Sequence, residues 1–322
     1  MKAIVIEEPG GPEKLLYREV PTPQVKPGWT LVHVRGFGIN HSEVFTRQGL
    51  SPSVQFPRIL GIECVGEVAQ TTDPERLPVG QKCVSLMGEM GRAFDGGYAE
   101  YCLLPNSQVY PVETDLPWKL LAALPETYYT AFGSMVVLYV QEGDSILVRG
   151  ATSGVGVAFL RLVRGRFPQA HVTGTTRNPD KVQMLLDAGF DEVVVDHHNV
   201  LQTDAEYDRV LELVGPASLR DTFKHVHEDS VVCVTGLLGG EWSLDFDPLE
   251  DQPTGSYLTS FHSATITEER LNALVSFVEA NDVDVTPERV FTLEQVPDAH
   301  RYLESAHSYG KVVVVTDPAD ME

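Results

Sequence analysis

The chain has 322 residues, 43% hydrophobic and 22% charged, an ordinary globular composition with enough length for two hydrophobic cores. Lys plus Arg at 24 against Asp plus Glu at 46 gives a formal net charge of -22, which repels phosphate backbones and makes nucleic acid an unexpected partner. No stretch approaches the ~18 uninterrupted apolar residues of a membrane span, and the start, MKAIVIEEPG, has neither the apolar core nor the cleavage site of a signal peptide. A cytoplasmic protein with no membrane partner is expected.

From the first residue to about Trp118 the chain reads as short β segments punctuated by Gly and Pro: KAIVIEE, WTLVHVRGFGIN, GIECVGEVAQ, QKCVSLM and GGYAEYCLLP. These describe an irregular, mostly antiparallel β domain. Beyond it, apolar runs alternate with helix-length stretches, the pattern of βαβ units on a parallel sheet. The strand candidates are SILVR (145–149), HVTGT (171–175), EVVVD (192–196), RVLELV (209–214), SVVCVTG (230–236) and SYLTSF (256–261). Six strands fit a doubly wound dinucleotide fold. A helix over TEERLNALVSFVEA, the segment VFTLEQ, a short helix around AHRYLESA and a last strand KVVVV follow; too few for a third domain, they are expected to complete the first. The domains are accordingly drawn as 1–118 with 262–322, and 119–261.

At the end of SILVR the chain enters Gly150-Ala151-Thr152-Ser153-Gly154-Val155-Gly156 and then the helical run VAFLRLVRGRF. Such a turn aims backbone N–H groups and a helix N-terminus at a pyrophosphate, and its glycines permit close approach. The full G-x-G-x-x-G is not met, and the cofactor reading rests on the turn opening the first of the alternating units. The second strand ends with Thr175 and Thr176, where an NAD site usually carries an acid for the ribose 2′-hydroxyl. Arg177 follows, and Lys181 lies one turn into the next helix, with Asn178 as its cap and Pro179 at its first position. Hydroxyls with two cations suit the 2′-phosphate of NADP(H).

The four cysteines, Cys64, Cys83, Cys102 and Cys233, have no CxxC pairing and read as buried reduced thiols. His197-His198 and the pair His225 and His227 are expected to be surface residues rather than ligands.

GFGINHSEVFTRQG, LGIECVGEV, FDGGYAEY, LPETYYTAFGSM, ILVRGATSGVGVA and GKVVVV together resemble the medium-chain dehydrogenase/reductase superfamily, and within it the zinc-free quinone oxidoreductases. The resemblance covers essentially the whole chain and implies an α/β protein: a GroES-like β-rich catalytic domain built from both ends of the chain, plus a Rossmann domain. Where zinc-dependent relatives carry catalytic ligands, this chain has Asn40, Ile62 and Glu126, and the cysteine-bearing lobe expected after QKCVSLM is missing; no metal is expected. The resemblance also implies roles near the nicotinamide for Asn40, Phe45 and Thr130, and along the cofactor for Leu213, Val214, Gly236 and Leu237, with Phe261 and Lys311 closing the cleft. Asp196 stands where some relatives have a tyrosine over the adenosine phosphate, and an acid there is expected to weaken a phosphate site.

Without a Lewis acid the electrophile must be activated by its own conjugation, so a quinone or a conjugated enone is the expected substrate. Proximity and desolvation then carry the catalysis. Tyr128, Tyr129 and Ser42 are the candidate proton donors. Two other readings remain open: an acyl-thioester enoyl reductase, and a cofactor-binding regulatory or structural protein with little turnover. A homodimer is expected.

Overall fold

The computed structural model describes residues 1–305 and 307–321, and these form two compact units. The first comprises Met1–Tyr129, Ser263–Phe277 and Val285–Glu322, the second Thr130–His262 and Val278–Asp284. Residues 119–129 therefore belong with the β-rich unit, where the N–H of Glu126 donates to Glu63.

The first unit is organised on Trp29–Ile39, a strand rich in the β-branched and aromatic residues that fill a pleated surface. It pairs antiparallel with Glu63–Thr71 on one side and with Tyr101–Pro105 and Val312–Val315 on the other. The sheet continues through Lys82–Leu86 to Tyr110–Pro111, and at the opposite edge Val312–Val315 accepts Arg289–Thr292. The run KVVVV thus returns to the first sheet: Val312 faces Ile39 and Val315 faces Gly36. All four valines are buried, which is why this strand reads as an unbroken apolar run rather than an alternation. A smaller sheet orders Leu16–Glu19, Lys2–Ile6 and Arg58–Ile59, and the core between the elements includes Ile4, Val34, Phe37, Leu60, Tyr98 and Val314.

In the second unit all six strands read from the sequence are present. Their spatial order is Glu192–His197, His171–Thr176, Ser145–Arg149, Tyr207–Glu212, Val226–Val234 and Tyr257–Ser260. This is the three-two-one-four-five-six order of a doubly wound fold, and every one of these pairings is parallel. A two-residue strand, Val200–Leu201, folds back antiparallel on the edge; it is too short to carry a periodicity. The helix Gly154–Arg166 packs Val157, Phe159, Leu160 and Val163 inward. Its first turn is tight: a Cβ on Gly156 would stand 2.8 Å from the carbonyl oxygen of Ala151, so the strand-to-helix turn requires glycine there.

The helix near AHRYLESA runs from Val296 to Leu303, and Ala306, the last residue of that motif, lies outside the described residues. All four cysteines are free and buried. His225 corrects the expectation of a surface residue: it is 7% exposed, with its Nδ1 3.2 Å from the carbonyl oxygen of Ala205. The side chain closes a loop that the local sequence pattern does not reveal.

Candidate active site

Three strand ends in the second unit converge on one small cavity of about 80 Å³. The first strand supplies Gly150 and Thr152, the second Thr175, Thr176 and Arg177, and the third Asp196, with Val214 and Leu238 completing the lining. Thr175 is the hinge of this arrangement, its hydroxyl accepting from Gly150 N at 3.0 Å and its carbonyl from Ala151 N at 3.3 Å. Ser153 caps the helix, its Oγ accepting from Gly156 N at 3.1 Å, which leaves Gly154 and Val155 in the first turn, where free N–H groups and the helix dipole favour an anion. Thr176 is buried, and its hydroxyl both donates to the Asn178 carbonyl (3.2 Å) and accepts from Asn178 N (3.1 Å). Arg177 is exposed at the rim. Asn178 caps the following turn as expected, accepting from Asp180 N at 3.0 Å; Lys181 ends that turn, and burial lowers its ammonium below the usual range.

The remaining expected cofactor residues of this unit are distributed around the cavity rather than in it. Ala151 and Leu213 are buried, Gly236 N donates to the Glu212 carbonyl, and the cavity takes Leu238 where Leu237 was expected. The Phe261 ring lies against Gly133. The Thr130 carbonyl accepts from Ser134 Oγ at 2.8 Å, and Ser134 in turn bonds Thr235 Oγ1 at 2.9 Å.

Asp196 is 3% exposed and paired with Arg149, which has no exposed surface at all. Arg149 Nε donates to Asp196 Oδ2 at 3.0 Å, while Nη1 reaches Thr222 Oγ1 at 2.8 Å and the Ser218 carbonyl at 3.1 Å. Nη2 stands 3.0 Å from Asp221. Glu212 joins through Thr222, and burial pushes its carboxyl up. Arg149 thus offsets part of the negative charge of Asp196, but the same guanidinium also serves Asp221.

The first unit holds a second polar cluster. Lys311 Nζ donates to Glu63 Oε1 at 2.7 Å and to Asn40 Oδ1 at 2.8 Å, and Asn40 Nδ2 donates to the same Glu63 oxygen at 3.1 Å. Lys311 and Glu63 are 5% and 0% exposed at their side chains. A Cβ on Gly38 would overlap Glu63 Oε1 and Lys311 Nζ, so that glycine is what admits the ion pair. Glu43 supports the cluster from behind, its Oε2 accepting from Asn40 N at 3.1 Å and its Oε1 from Ile62 N at 3.0 Å. Burial pushes its carboxyl up to about 7 despite the Ile62 N–H bond. The result is a carboxamide held at both ends beside a fixed ammonium, an arrangement that costs no reorganisation when a polar ligand arrives.

Glu43 and Glu63 were not among the residues singled out from the sequence. Both left a signal: Asn40-x-x-Glu43 is a capping pattern at the head of the helix His41–Arg47, and Glu63 adjoins Ile62 in the GIE motif.

The hydroxyl candidates differ. Tyr129 is fully buried and holds a neighbouring segment, donating to the Thr265 carbonyl at 3.2 Å and accepting from Thr267 N at 3.3 Å. Tyr128, 2% exposed, ends the wide π-helical turn Leu124–Tyr128, a geometry that recurs at functional sites. Ser42 Oγ accepts from Arg92 at 2.6 Å. Phe45 is 39% exposed. A larger cavity of about 480 Å³, lined by Trp29, Ile59, Phe94 and Tyr101 among others, contains none of the expected site residues.

The donor set around Asn40 does not fit zinc. Ile62 is buried hydrocarbon, Glu63 is already neutralised by Lys311, and among the described residues no group of three or more His, Cys, Asp or Glu is placed to hold a metal ion. A dinucleotide fits the second unit, where a glycine-tight turn and a capped helix start border a cavity lined by a buried carboxylate.

Residues 26–114 match the alcohol dehydrogenase GroES-like domain, and residues 188–314 match a family described as zinc-binding dehydrogenase. The chain is 25% identical to quinone oxidoreductase of Pongo abelii over 332 residues, covering 98% of each protein. It is 26% identical to quinone oxidoreductase of Pseudomonas aeruginosa over 328 residues, covering 95% of this chain and 97% of the relative. Among solved structures, protein yhfP of Bacillus subtilis with NAD bound superposes with a TM-score of 0.85 at 22% identity, over 98% of both chains. A mycobacterial protein complexed with NADPH gives 0.79 at 23%, over 98% of this chain and 99% of that one. The two structural likenesses establish the fold.

Proposed function

This chain is a quinone oxidoreductase-like member of the medium-chain dehydrogenase/reductase superfamily, and we propose that within that class of oxidoreductase it reduces quinones or conjugated enones with NADPH and without a metal. The observation that carries this reading is the Asn40–Glu63–Lys311 cluster: the position that would have to polarise an unactivated alcohol or carbonyl through a metal is instead an internally neutralised ion pair beside buried Ile62. NADPH, when bound, supplies a hydride. The chain's own residues then orient and desolvate, and the substrate must spread the arriving charge onto its own oxygen. In a quinone that oxygen takes a proton from solvent and the product is the hydroquinone. In an enone the hydride adds to the β-carbon, a proton adds to the α-carbon, and the product is the saturated ketone. Substrate-dependent oxidation of NADPH, followed by absorbance across a panel of quinones, enones and simple alcohols paired with NADP⁺, tests the reading. Turnover with at least one quinone or enone is expected to exceed any alcohol oxidation, and the reverse order would overturn it.

NADPH rather than NADH is supported by Thr176 and Arg177 at the end of the second strand, the position where an NAD site usually carries an acid, and Asp196 of the third strand lines the same cavity. A hydrogen bond to a charged group contributes roughly 1.5–3 kcal/mol, so Arg177→Ala should weaken NADPH binding about tenfold or more and leave NADH nearly unchanged. Equal weakening of both cofactors in a fluorescence titration would mean that Arg177 does not read the phosphate.

A further inference from the structure

Asp196 presents a feature that the dinucleotide reading alone leaves unused. Its Oδ2 is committed to Arg149, but its Oδ1, also buried, has no hydrogen-bond partner among the described residues, and the residue lines the cavity with Thr175, Thr176 and Arg177. A buried carboxylate oxygen left unpaired is costly, and the position invites a donor from the cavity side.

The strand order says which donor. Gly150, Thr176 and Asp196 lie at or just beyond the carboxyl ends of three adjacent parallel strands, and neighbouring strands are about 4.8 Å apart. A dinucleotide with its pyrophosphate on the Gly150 turn and its ribose beside Thr176 has its base one strand further out, beside Asp196. Adenine offers a two-proton exocyclic amino group, whereas a 6-oxo purine would present an acceptor to an acceptor. Resting on the dinucleotide reading above, we propose that Asp196 is a specificity-determining residue that reads the cofactor's base, its Oδ1 accepting from the adenine amino group while Arg149 holds the carboxylate in place.

The test compares binding of NADPH with that of its hypoxanthine analogue, in which the amino group is replaced by oxygen, by calorimetric or fluorescence titration, with the NADH pair titrated alongside. The wild-type protein should bind the hypoxanthine forms at least tenfold more weakly, the scale of a lost charged hydrogen bond. In Asp196→Asn, Arg149 holds the amide oxygen and the amide nitrogen takes the place of Oδ1, so the preference for adenine over hypoxanthine should be lost or reversed. If that variant does not fold alone, the charge-matched combination of Arg149→Gln with Asp196→Asn carries the comparison. Wild-type affinities within twofold for the two bases overturn the inference, as does discrimination that survives in a folded variant. If NADPH binds but its base goes unread, only this inference falls; if no dinucleotide binds, the proposed function falls with it.

Discussion

Lys311→Met should destabilise the first unit by about 3–5 kcal/mol, the cost of removing one partner from a buried ion pair. The reasoning starts from Glu63, whose side chain has no exposed surface and whose countercharge is the Lys311 ammonium at 2.7 Å. Methionine preserves length and apolar volume, so packing changes little and the loss comes from charge. Two donors, Asn40 Nδ2 and the Glu126 N–H, remain on the Glu63 carboxylate and limit the damage. Urea unfolding at constant m-value would measure it as a lower midpoint. Lys311→Met combined with Glu63→Leu should recover most of the loss, because an apolar pair pays no desolvation for charge. A single-variant loss below about 1 kcal/mol would show that the pair is hydrated and energetically ordinary.

Arg149→Leu should be at least as damaging to the second unit, again about 3–5 kcal/mol or more. One guanidinium serves Asp196 and Asp221 together and also donates to Thr222 and the Ser218 carbonyl. Removing it strands two carboxylates inside the protein with only weak compensation at hand: Lys224 lies 3.7 Å from Asp221 but is itself exposed. The loss is read as a lower urea midpoint at constant m-value, and a loss below about 1 kcal/mol would overturn the expectation. The two substitutions lie in different units and share no partner, so their effects should add.

The doubly wound unit was legible from local pattern because its strands are buried on both faces, and such strands appear as short apolar runs between helix-length segments. The glycine turn and the Asn178–Pro179 helix start follow from backbone chemistry that acts within a few residues, and both were readable in order along the chain. The return of Val312–Val315 to the first sheet was also legible, since the four segments read after Ser263 are too few to form a domain of their own. What only the tertiary structure decided is the pairing of charges distant in sequence. Lys311 lies 248 residues from Glu63, and Arg149 lies 47 from Asp196. Burial turns each of these residues from a surface charge into a paired interior one, and burial is set by which strands become neighbours. Lys311 and Asn40, both expected at the cofactor, share a buried cluster with Glu63, and Asp196, expected to weaken the phosphate site, is coupled to Arg149. Charge periodicity along a chain carries no record of such partners; strand order and the absent Cβ of Gly38 create them.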